Sequence, residues 1–110
     1  MELPDPREKR VKELIKSGGY EFSKHAERER EADRISVKEL EEALIKCKVI
    51  EDYPDDPRGP SFLVLGFSDE RPVHVVCSIR TDPDELFFIT LYDPSKNPLA
   101  WTENYQKRKE

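Results

Sequence analysis

The sequence predicts an α+β domain in which an antiparallel sheet of about four strands carries helices packed on one face. Apolar residues recur at helical spacing only before residue 48, and an alternation of period two takes over after it. The later apolar runs are joined by short, turn-rich connections, which imply antiparallel neighbours. A length of 110 residues suits one core, so the expected organisation is a single domain over 1–110. Within it, 1–19 is an N-terminal helix, 20–93 holds helices followed by the sheet, and 94–110 is a basic tail.

Pro4, Asp5 and Pro6 open the first helix, Val11, Leu14 and Ile15 give it a narrow apolar stripe, and Ser17, Gly18 and Gly19 stop it. A short extended piece, Tyr20 to Phe22, leads to Ser23 as the N-cap of a second helix over Lys24 to Asp33. That helix has almost no apolar face and is expected to be mostly exposed. The third helix has the clearest start: Ser36 and Glu39 form a capping box, with Ile35 and Leu40 at the positions of a hydrophobic staple. Val37, Leu40, Ala43, Leu44 and Cys47 make its buried face.

Val49 and Ile50 start the first strand, which runs into the turn-rich stretch from Tyr53 to Pro60. Three more strands follow, Ser61 to Phe67, Val73 to Arg80 and Leu86 to Tyr92. Alternation puts Val73, Val75, Cys77 and Ile79 on one side of the third and His74, Val76, Ser78 and Arg80 on the other. In the fourth, Phe87, Ile89 and Leu91 oppose Phe88, Thr90 and Tyr92. With the apolar sets against the helices, His74, Ser78, Arg80, Thr90 and Tyr92 line an open face beside Val76 and Phe88. The tail, with Trp101 and Tyr105, is either a docked terminal turn or a mobile basic arm.

Leu, Ile, Val and Phe make 27 of the 110 residues, about a quarter and above the ~20% typical of disordered chains. A net charge of −5, from 19 basic and 24 acidic residues, argues against a generally basic nucleic-acid coat but allows a local basic patch. No apolar run approaches the ~18 residues that span a bilayer, and no signal-like segment opens the chain, so a cytoplasmic protein without membrane contact is expected. Cys47 and Cys77 lack metal-ligand spacing and read as buried apolar residues, and no metal or cofactor is expected in this chain.

His25 and His74 are the only side chains that titrate near neutral pH when unperturbed. Cleavage of RNA through its 2′-hydroxyl needs one group to take that proton, one to protonate the leaving oxygen and cations around the phosphate. His25 and His74 are the candidate acid and base, with Tyr92 to orient or stack. Arg28, Arg30, Arg80, Lys107 and Arg108 are the candidate RNA-binding cations. Each has a structural alternative. His25 could contact a loop carbonyl or a carboxylate, Arg28 and Arg30 could belong to a solvated helix of alternating charge, and His74 and Arg80 could form cross-strand pairs. Tyr92 could be a packing anchor.

The stretches Tyr20-Glu-Phe-Ser-Lys-His-Ala26, Arg34-Ile-Ser36, Val49-Ile-Glu-Asp-Tyr-Pro54, Phe62-Leu-Val-Leu-Gly66, Arg71-Pro-Val-His-Val-Val76 and Ile89-Thr-Leu-Tyr-Asp-Pro94 together resemble one family. It is the domain-of-unknown-function family numbered forty-two fifty-eight, near the RelE/ParE-type and BrnT-like toxins, and the likeness spans roughly residues 20 to 108. It implies a RelE-like fold and the toxin of a type II toxin-antitoxin pair, a metal-independent endoribonuclease acting on messenger RNA. The implied partners are a cognate antitoxin, of the YgiT zinc-finger type, and RNA, on or off the ribosome. His25 and His74 match the family's histidines, whereas Glu29 stands where an Arg is common and Arg34 where a Gly is common. The rival reading is a non-catalytic protein-interaction module or inactive toxin relic, which the negative charge favours.

Overall fold

A computed structural model describes residues 3–102 and 104–109. Met1 and Glu2, with which the expected N-terminal segment begins, and Glu103 and Glu110 of the expected tail lie outside them. The described elements are helices α1 (Pro6–Ser17), α2 (Lys24–Ala32) and α3 (Val37–Ile45) and strands β1 (Tyr20–Phe22), β2 (Lys48–Tyr53), β3 (Ser61–Ser68), β4 (Arg71–Arg80) and β5 (Glu85–Tyr92). Two 3-10 turns, Pro94–Lys96 and Pro98–Ala100, then lead into β6 (Trp101–Thr102) and β7 (Lys107–Arg108). No helix among the described residues is long and apolar enough to cross a membrane.

The helix signals act where the sequence puts them. Asp5 accepts from the Arg7 N–H at the start of α1, and Gly18 ends that helix at φ 73°, a conformation that favours glycine. Ser36 and Glu39 form both bonds of the capping box, and the staple residues Ile35 and Leu40 are buried. Helix α3 lies over β3 at Gly66, where a Cβ would overlap the Ala43 carbonyl, so glycine sets how closely helix and sheet approach.

The sheet is five-stranded and mixed, in the order β1-β5-β4-β3-β2, rather than a four-stranded antiparallel one. The extended piece at Tyr20 to Phe22 joins it as an edge strand parallel to β5. Three residues between Gly19 and Ser23 carry no periodic signal; their partner is the open edge of β5. Leu86 N–H donates to Gly19 O and Ser23 N–H to Phe88 O, each at 2.9 Å, extending the ladder at both ends. Phe22 and Tyr20 add ring contacts to Phe88 at 4.9 and 5.3 Å between centroids.

Two irregularities correct the simple alternation. In β5, Thr90 pairs with Val76 and Phe88 with Cys77, so Ile89 is the extra residue of a bulge. Phe88, expected on the open face, therefore turns into the helix-covered core with Leu86 and Leu91, while Phe87 turns outward opposite Ser78. In β2, Ile50 is skipped between Val49, paired with Val64, and Glu51, paired with Leu63, which sends Glu51 to the face away from the helices. The core lies between that sheet and the helices, with Val11, Leu40, Leu44, Val64, Val73, Val75 and Phe88 fully buried.

The tail docks. From Asp93 onward the chain crosses the second face of the sheet, and β6 and β7 pair as a hairpin. Lys109 N–H donates to Ala100 O, and Lys48 Nζ to Gln106 Oε1. The face expected to be open is thus covered at one end.

Candidate functional site

The residue at the centre of the covered end is His74, fully buried on β4. Its Nε2 lies 2.9 Å from the Tyr105 carbonyl oxygen and its Nδ1 lies 3.2 Å from the Tyr92 hydroxyl. A carbonyl only accepts, so Nε2 carries the proton and Nδ1 accepts from Tyr92. The Trp101 ring stands edge-on to the imidazole with centroids 4.3 Å apart. Burial pushes the His74 pKa down to about 4, which keeps the ring neutral near pH 7. Burial also pushes the Tyr92 phenol up to about 12, so it keeps its proton. His74 is therefore no solvent-exposed acid or base on an open face; it is screened by Trp101 and Tyr105 and reaches outward through Tyr92.

Arg108 closes this cluster from the hairpin. Its guanidinium lies 4.8 Å from the centre of the Trp101 ring, and its Nε donates to both Glu51 oxygens at 3.0 and 2.9 Å. The β2 bulge is what brings Glu51 to this face. Beside the cluster opens a cleft of about 340 Å³ lined by Asp33, Tyr92, Asp93, Lys96, Trp101 and Arg108, among others. Its acidic wall is internally paired: Lys96 meets Asp33 at 3.3 Å, and Arg71 meets Asp93 at 3.0 Å while also bonding Glu39 and the Arg34 and Asp33 carbonyls. The half-buried Tyr92 ring, two cations and a hydroxyl backed by imidazole can pack against a base and hold a phosphate.

Helix α2 runs along the part of the β5 edge that β1 leaves uncovered. Ser23 Oγ donates to Ile89 O, Glu29 accepts from Leu91 N–H and Asp33 from Asp93 N–H. These bonds explain a helix whose only buried residue is Ala26: its polar groups satisfy strand backbone. His25 sits on its first turn with a side chain 67% exposed, and its Nε2 lies 3.2 Å from Glu29. Arg28 is exposed, while Arg30 is tied to Glu27 and the Ile35 carbonyl. Among the described residues no contact joins His25 to His74.

Of the candidate residues read from the sequence, the structure gathers His74, Tyr92 and Arg108. It leaves His25, Arg28 and Arg30 on α2 and puts Arg80 at the far end of β4, stacked on Phe87 at 3.7 Å. Lys107 lies exposed on the hairpin beside Arg108. Trp101, Glu51, Asp33, Arg71 and Asp93 were missed as site residues. Arg71 and Asp93 had a signal, since each neighbours a candidate within its own motif, three residues before His74 and one after Tyr92. Among the described residues no group of three or more His, Cys, Asp or Glu side chains is arranged to hold a metal ion.

Compared with known proteins, residues 22–93 match the model of a family described as a domain of unknown function, DUF4258. No curated protein and no solved structure matches the chain. The matched span contains α2 and β2 to β5, with His25, His74 and Tyr92, and ends before Trp101 and Arg108.

Proposed function

The chain belongs to the DUF4258 family, and from that premise we propose that it acts on single-stranded RNA as the toxin of a type II toxin-antitoxin pair. One observation carries the reading: the cleft in which Tyr92 and Trp101 stand beside Lys96 and Arg108 and the Tyr92 hydroxyl donates to His74. A nucleobase packs against the half-buried Tyr92 ring, and its phosphate takes the cations. A RelE-like relationship, a cytoplasmic location and a cognate antitoxin of the YgiT zinc-finger type belong to the same proposal.

The chemistry that fits is cleavage by the RNA's own 2′-hydroxyl, which needs no metal. The 2′-oxygen attacks the adjacent phosphorus and the bond to the 5′-oxygen breaks, leaving a 2′,3′-cyclic phosphate and a 5′-hydroxyl. The 2′-proton passes to the Tyr92 oxygen as the phenol proton passes to His74 Nδ1, water protonates the 5′-oxygen, and the hydroxide so formed takes the proton back from His74 through Tyr92. Arg108 faces the charge that builds on the phosphate. His74 is neutral and so able to take that proton, while its burial opposes the charge it then carries.

A second reading, a protein-interaction module, is favoured by a specific observation. Lys96 and Arg108 are each already paired with a carboxylate of the same chain, in a protein of net charge −5. The deciding experiment incubates the purified chain with end-labelled messenger RNA, with and without translating ribosomes, at low salt. Wild type is expected to bind and cut; Tyr92→Phe should lower cutting by about 10²-fold with binding retained, as for loss of one hydroxyl aimed at the reacting groups. Intact RNA and no binding at low salt would reject the RNA reading and leave the interaction module.

A further inference from the structure

We propose that the uncovered end of the same sheet face is a second nucleotide subsite, one that takes a base and phosphate of single-stranded RNA beyond the nucleotide in the cleft. The inference rests on the RNA reading above. A pocket of about 410 Å³ opens there, lined by Arg58, Ser78, Arg80, Thr81, Phe87 and Ile89, among others. It exists because of the β5 bulge: the extra residue Ile89 turns Phe87 out of the core and sets it opposite Ser78. Phe87 then lies under Arg80, whose guanidinium carbon is 3.7 Å from the ring centre. The outer plane of a guanidinium held on an aromatic ring is itself a stacking platform for a base.

The charge around this platform suits a phosphate. The ion pair of Arg80 with Glu85 is long, at 3.9 Å, and its side chain is half exposed. Arg58, on the facing loop, is two-thirds exposed and held against Asp56, which fixes its position at the rim. Ser78 and Thr81 add two hydroxyl-bearing side chains to the same lining. His74 and Arg80 lie on the same face of β4, six residues apart in the sequence and so about 20 Å apart along the strand at ~3.3 Å per residue. A hexanucleotide spans that distance, whereas a dinucleotide does not.

The test measures binding of a uridine dinucleotide and a uridine hexanucleotide by calorimetry or anisotropy at low salt, to wild type, Phe87→Leu and Arg80→Gln. Wild type should bind the hexanucleotide at least about tenfold more tightly than the dinucleotide. Both variants should lose about tenfold for the hexanucleotide and nothing for the dinucleotide, and Arg80→Gln should lower the salt slope by about 0.7. Hexanucleotide affinity within twofold of wild type in both variants would overturn the subsite while leaving the cleft and the RNA reading in place. If wild type binds neither oligonucleotide, the RNA reading fails and the subsite with it. The Arg80 side chain is half exposed and lies outside the core, so its variant remains decisive even if Phe87→Leu fails to fold.

Discussion

His74 shows how one side chain's role is decided by what covers it. The folded protein holds its pKa at about 4, and the unfolded chain returns it to its ordinary 6.5. The unfolded state therefore binds the extra proton first. The stabilisation is complete above pH 6.5, shrinks as pH falls from 6.5 and is lost at about 4, and its full size is on the order of 3 kcal/mol. Denaturant midpoints measured between pH 7 and pH 4 should fall across that window, and His74→Gln should flatten the decline; an unchanged slope in the variant would show that other groups cause it. Gly66 is the second residue whose neighbours decide everything. A methyl group there overlaps the Ala43 carbonyl, so Gly66→Ala should cost about 3 kcal/mol or more, seen as a lowered thermal midpoint or as insoluble protein.

At the scale of elements, α2 and α3 are held by opposite means. Helix α3 buries Leu40, Ala43 and Leu44 and begins with a two-bond capping box, so Ser36→Ala should cost about 1 kcal/mol in equilibrium unfolding. Helix α2 buries only Ala26 and stays in place through bonds to the β5 edge. Glu29→Ala removes the acceptor of the Leu91 N–H and the partner of His25 together. The expected cost is about 1 kcal/mol, and the distinguishing readout is faster amide exchange at Leu91 than at residues of α3. The capping box was legible because its residues are neighbours in sequence. The edge role of α2 was not, because Glu29 and Leu91 lie 62 positions apart.

The whole molecule is arranged around one sheet with two unlike faces. The helices seal the first; among the described residues, the chain beyond Asp93 covers part of the second and leaves the Arg80 end uncovered. Trp101 anchors that cover against His74 and beneath Arg108. Trp101→Ala should destabilise by about 3 kcal/mol and speed amide exchange around residues 74 and 92, with less effect in α1 and α3. The charge of −5 sets a second expectation at this scale. RNA bound by Arg58, Arg80, Lys96 and Arg108 would show a slope of log affinity against log salt near −2.8, at about −0.7 for each phosphate on a single strand. A slope near zero would mean that these cations stay with their own carboxylates.

The sequence by itself determined where each helix starts, the α+β class and the alternation of β4, because caps, turns and periodicity act between residues a few positions apart; it carried α3 on to Cys47, whereas the helix ends at Ile45. Val73, Val75 and Cys77 lie in the core where that alternation puts them. Only the tertiary structure decided that Tyr20 to Phe22 forms a parallel edge strand, that Ile89 bulges and turns Phe88 inward, and that the tail buries His74. Each of these depends on a partner remote in the chain: the edge of β5, the register against β4, the carbonyl of Tyr105. The same holds for the candidate site, whose members His74, Tyr92, Trp101, Arg108 and Glu51 come from separate strands. Local sequence carries the identity of such residues but not the long-range pairing that brings them together.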